Sequence, residues 1–139
     1  MIARHVFEEH IGEARVRLEA PSLAELFRQA ALALAELMGA GAAGAAAPVR
    51  GAFERVELRA TDRDALLVDW LNELVYRAER ARKVFGEIAI ERIDDGQLVA
   101  TIRGYDAPDA RSLVKAATFH GLEIVETPDG WRATVVLDI

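Results

Sequence analysis

Few side chains of this chain are suited to chemistry. Its three histidines are His5, His10 and His120. A lone histidine is more often a surface or hydrogen-bonded residue than a ligand or a base. The alternation of "FHGLEIVE" puts His120 on one strand face with Leu122 and Ile124, at the edge of a core. Lys115, in "VKAATFH", reads as a solvated charge. There is no Gly-rich phosphate loop, no His-Glu-x-x-His and no Gly-x-Ser-x-Gly. The absence of Cys excludes a thiolate nucleophile, a disulfide framework and a Cys-based zinc site. The closing stretch "WRATVVLDI" is the unusual one. Trp131, Ala133, Val135, Leu137 and Ile139 alternate with Arg132, Thr134, Val136 and Asp138 to the final residue. Terminal residues are ordinarily frayed. A strand carried this far holds the Asp138 carboxylate beside the α-carboxylate of Ile139. Two such charges raise a pKa or splay apart unless a cation neutralises them. An all-oxygen pair suits Ca²⁺ or Mg²⁺ better than zinc. The plain alternative is a terminus moving freely in water.

The elements around these residues are legible from pattern. "PSLAELFRQAALALAELMG" opens with Ser22 and Glu25 in capping-box spacing. Leu23, Leu26, Phe27, Ala30, Leu34, Leu37 and Met38 then form an apolar stripe, and Gly39 is a stop. "ATDRDALLVDWLNELVYRAERARK" predicts a longer helix, with Thr61 and Asp64 as a cap pair and Gly86 as the exit. Its stripe is Leu66, Leu67, Trp70, Leu71, Leu74, Val75 and Ala78. Val16, Leu18 and Ala20 alternate with charged residues, as do Val56, Leu58 and Ala60. "DDG" at 94–96 and "TPDG" at 127–130 read as the turns of two hairpins. One-sided alternation implies a mainly antiparallel or mixed sheet with one wet face. The two helices cover the other face, which predicts an α/β (α+β) two-layer sandwich. The low-complexity "GAGAAGAAAP", residues 39–48, reads as a mobile loop.

Composition sets the outer bounds. At 139 residues, 52% hydrophobic and 29% charged, the chain is expected to form one domain spanning 1–139. A net charge of −6 argues against direct, strong nucleic-acid binding, which needs a basic footprint. The densest basic stretch, Arg77, Arg80, Arg82 and Lys83, suits the C-terminal end of a helix. If RNA is involved, a partner is expected to hold it. No apolar run approaches the ~18 residues of a membrane helix, and no signal-peptide pattern is present, so a cytoplasmic location is expected.

Four segments together resemble the archease family: "EEHIGEARVRLEAPSLAELFRQAALALAELM", "LLVDWLNELVYRAE", "VKAATFH" and "DGWRATVVLDI". The most specific features are the final Asp-Ile, the Trp-Leu-Asn-Glu-Leu helix and the Lys-Ala-x-Thr-aromatic-His run of Lys115, Thr118 and His120. The resemblance implies a compact α/β fold and an accessory role to the GTP-dependent tRNA-splicing RNA ligase. In that role the protein promotes guanylylation of the ligase and its multiple turnover, and is not itself an enzyme. The resemblance further implies a divalent cation held by Glu13, Asp138 and Ile139, with calcium first and magnesium or manganese behind it. The family's His-Thr-Ala-Asp stands here as His10-Ile11-Gly12-Glu13. Glu keeps an oxygen donor but sets it one methylene further out, which Ca²⁺ tolerates better than Mg²⁺. Replacing Thr by Ile removes a hydroxyl able to orient the site. The loop "GYDAPDARS" is shorter than the family's and lacks its usual His. Two other readings compete: a metal-dependent hydrolase using Glu13, Asp138 and His120, and a metal-free chaperone-like binding module.

Overall fold

The computed structural model describes residues 1–39, 50–107 and 114–139. Helix α1 (Leu23–Leu37) starts at Ser22, whose hydroxyl accepts from the Glu25 N–H at 3.1 Å. Leu26, Phe27, Ala30 and Leu34 of its stripe are buried. Helix α2 (Arg63–Ala81) is capped by Asp62 rather than Thr61, with Asp62 Oδ1 accepting from the Ala65 N–H at 2.8 Å. Its exit also differs from the expectation. Arg82 takes the left-handed conformation (φ 53°) and ends the helix four residues before Gly86. Inside the core the Trp70 Nε1–H donates to the Phe27 carbonyl at 2.9 Å and ties the two helices together. Trp70 is wholly buried, so this bond satisfies a polar group that water cannot reach.

The strands are β1 (Arg4–His10), β2 (Glu13–Ala20), β3 (Glu54–Arg59), β4 (Lys83–Ile93), β5 (Gln97–Asp106), β6 (Ala116–Thr127) and β7 (Gly130–Asp138). All their pairings are antiparallel. They divide into two sheets, ordered β1-β2-β7-β6 and β3-β5-β4, where the alternation alone suggested one. Each helix touches both sheets, and among the described residues no strand of one sheet packs on the other. Each sheet therefore keeps one face on the helices and one in water. The core is continuous across this arrangement, from Val16, Leu18 and Val135 of the first sheet to Val56, Ala100 and Ile102 of the second. Residues 39–48 and "GYDAPDARS" fall largely on 40–49 and 108–113, outside the described residues.

Candidate metal centre

The site forms at one end of the four-stranded sheet. β1 and β2 are joined by a two-residue turn, with His10 opposite Glu13 and Ile11–Gly12 between them. Of the two central residues only Gly12 has positive φ (79°), as the second central position of a type II turn requires. A residue with a Cβ would be strained there. The turn starts β2 so that Glu13 lies directly across from Asp138 of β7. The Ile139 N–H donates to the Gly12 carbonyl at 3.1 Å, and the Lys115 N–H donates to the Asp138 carbonyl at 2.7 Å. The chain around Asp138 is thus held by main-chain bonds on both sides.

The bond between Ile139 and Gly12 also fixes the character of the neighbouring pair. Residues 12 and 139 form a hydrogen-bonded pair, so Glu13 and Asp138 form the adjacent non-hydrogen-bonded pair, whose side chains approach more closely. Opposed residues share a sheet face, so two carboxylates stand side by side. Neither forms an ion pair among the described residues. Arg15, next along the same face, has a buried Nε without a partner and bridges to neither acid. Like charges directly opposed in a sheet are destabilising. This pair fits a hard divalent cation: its donors are oxygens, neither acid is tied up in an ion pair among the described residues, and exposed Asp138 leaves room for water ligands. Among the described residues no three His, Cys, Asp or Glu side chains cluster as a metal site. Among the described residues, a third protein donor would be a main-chain oxygen or the carboxylate of Ile139.

The remaining candidates are placed differently. Lys115 is exposed beside Asp138. The side chain of His10 lies outside the described residues, and only its backbone pairing with Glu13 is defined. The Thr118 hydroxyl donates to the Val136 carbonyl at 3.4 Å and accepts from the His120 N–H at 3.3 Å. His120 departs from the sequence reading. Between Thr118, opposite Val136, and Glu123, opposite Thr134, β6 makes a wide bulge. Gly121 (φ 64°) turns the chain there, and Phe119 and His120 are exposed instead of alternating with Leu122 and Ile124.

Asn72 is the residue that sequence reasoning missed. Its Oδ1 accepts from the Ala117 N–H at 2.8 Å, and its Nδ2 donates to the Ala117 carbonyl at 3.4 Å. β6 is an edge strand, so these backbone groups of Ala117 have no neighbouring strand to pair with. Asn72 takes that strand's place and joins the Trp-Leu-Asn-Glu-Leu helix to the Lys115–His120 run. Its signal in the sequence was an amide, a weak helix former, at mid-helix between Leu71 and Leu74.

The comparisons with known proteins bear on the family and the fold. Residues 6–139 match the model of the archease protein family (MTH1598/TM1083). The archease of Methanosarcina barkeri is 31% identical over 98% of this chain and 96% of its own length. The archease of Methanothermobacter thermautotrophicus is 37% identical over 84% of this chain and 85% of its own length. The solution structure of Methanobacterium thermoautotrophicum protein 1598 aligns with a TM-score of 0.74 at 31% identity, covering 97% of this chain and 98% of that one. The crystal structure of a Thermotoga maritima protein, described as an archease and possible chaperone, has the same fold. It aligns with a TM-score of 0.66 at 19% identity, covering 95% of this chain and 94% of that one. The chain belongs to the archease family.

Proposed function

We infer that the protein is an accessory factor for a GTP-dependent RNA ligase of the tRNA-splicing type, and that it performs no chemistry on RNA itself. The observation that carries this reading is the cross-strand pair of Glu13 and Asp138 at the sheet end, in a chain of archease membership. Glu13 and Asp138, with the carboxylate of Ile139, would hold a divalent cation, calcium in first place. The cation, when bound, supplies concentrated positive charge for phosphate or carboxylate oxygens. The chain supplies the rest: strand pairing sets the two acids opposite each other, the bonds at Gly12 and Lys115 hold the chain around Asp138, and Asn72 ties the adjacent strand to α2 at Ala117. Exposed Ile11, at the tip of the turn before Glu13, adds apolar surface suited to protein contact.

Such a factor acts by binding one state of its partner better than another. A preference of a few kcal/mol shifts that population by orders of magnitude. Catalysis by this chain has less support. The trough on the same sheet, about 310 Å³, is lined by Arg17, Glu123, Arg132 and Thr134, and not by Glu13, Asp138 or His120. The test is a multiple-turnover RNA-joining assay with the cognate ligase. Adding this protein below equimolar amounts should raise guanylylation or turnover, and Asp138→Ala should abolish the gain. An unchanged rate at equimolar protein would overturn the reading.

A further inference from the structure

We propose that β1 is a self-recognition edge, through which two copies of this chain join antiparallel into one eight-stranded sheet. The four sheet edges differ in how they resist such pairing. β6 is broken by its bulge, and Asn72 occupies its backbone at Ala117. β4 has two register breaks, Val84/Glu87 and Ile90/Arg92. β3 is six residues long and turns the charged, exposed Arg55, Glu57 and Arg59 to solvent. Bulges, brevity and charge are the usual protections of an edge. β1 has no bulge, and its charges are placed differently from those of β3. Arg4 and Glu8 stand symmetrically about Val6, so a two-fold pairing opposes unlike charges, whereas about Glu57 it would set Arg55 against Arg59. The seven residues of β1 pair with β2 without a break, and Val6, at 48% exposure, sits in the middle of its outer face. On the inner face His5 bonds Gln29 at 2.9 Å and Glu36 at 2.5 Å, which holds the strand flat on α1.

The backbone dictates which registers are open to a partner. Because residues 12 and 139 are hydrogen-bonded, the even residues of β1 bond to β2. Ala3, His5, Phe7 and Glu9 therefore present their N–H and C=O groups outward, where among the described residues no strand pairs with them. A two-fold pairing that uses these groups can set Val6 against Val6 of the second copy. Arg4 then faces Glu8, Glu8 faces Arg4, and His5 faces Phe7. Registers shifted by two residues set Arg4 or Glu8 against Val6 and lose both charge matches. Within the chain Arg4 already pairs with Glu19, and Glu8 with Arg17. The second copy extends this alternation of charge across the joined sheet. The two carboxylate ends then point in opposite directions, each free for its own partner. An edge of this length buries less than the ~1,600 Å² of a standard interface, so micromolar association is expected.

The test uses the absence of cysteine from the chain. Opposed residues of a non-hydrogen-bonded pair stand about 4.5 Å apart at Cα, within reach of a disulfide. Under mild oxidation Val6→Cys should convert to a covalent dimer, while Glu57→Cys stays monomeric. Arg4→Cys and Glu8→Cys should each stay monomeric alone and cross-link when mixed. In sedimentation Val6→Lys, a change at an exposed site, should weaken self-association at least tenfold. The proposal is overturned if Val6→Cys cross-links no faster than Glu57→Cys, or if the wild-type chain sediments as a monomer at high micromolar concentration.

Discussion

Glu13 and Asp138 stand in the closest type of cross-strand pair, and their charges repel in a sheet that otherwise matches Arg to Glu. That repulsion gives the metal proposal a test independent of any partner. In chelator, Glu13→Gln should stabilise the fold by about 0.2–1 kcal/mol, because it removes one of two like charges. In millimolar Ca²⁺ the wild type should gain stability by ligand linkage and the variant should not, so the order inverts. Urea denaturation under the two conditions reads both signs, and an order that stays the same excludes the cation. The sequence placed Asp138 on a strand face but did not reveal what lay across from it. His120 shows the opposite failure. Alternation was assumed to continue through "TFHGLE", and only Gly121 hinted that the strand would bulge. A bulge depends on the register with a partner strand, which local pattern does not contain.

Element by element, the helices followed their patterns while their ends moved. Thr61 and Asp62 are both competent caps, and the extended backbone at Asp62 decides between them. Arg82 ends α2 in a conformation costly for a side-chain-bearing residue, and its carbonyl accepts from the Ala107 N–H at 3.0 Å. Gly86, read as the helix stop, instead lies at a register break of β4. Sheet pairing also sets a pH response. Arg103 donates two hydrogen bonds to Glu87, at 2.7 and 3.0 Å, and holds its carboxyl below the usual carboxylate range. The pair's contribution is therefore complete above the ordinary glutamate pKa and fades as pH falls through the lowered folded value. An NMR titration should find the Glu87 midpoint below the usual glutamate range, and Arg103→Ala should move it upward. Identical midpoints in the two proteins would show that the pair does not act on the charge.

Across the whole molecule, α2 has to reach the edge of the four-stranded sheet, and Asn72 is one polar link that makes it do so. Asn72→Ala leaves the Ala117 N–H and C=O without their partners and should cost about 1–3 kcal/mol in urea denaturation. Amide exchange should quicken at Ala117 before the paired residues of β7. A loss under about 0.5 kcal/mol, with unchanged exchange, would mean that water replaces the amide at no cost. The periodicity of the apolar residues by itself determined that there are two amphipathic helices, that the strands are one-sided, and that the last strand carries Asp138 outward. Those properties are local: they depend on which residues lie 3.6 or 2 positions apart. Only the tertiary structure decided that the strands split into two sheets and that Glu13 meets Asp138 from 125 positions away in the chain. It also set the bulge at His120 and the capture of Ala117 by Asn72. Each of these is a choice of partner. Alternation tells a strand which face to bury but not which strand to pair with, and long-range register answers to the packing of the whole core.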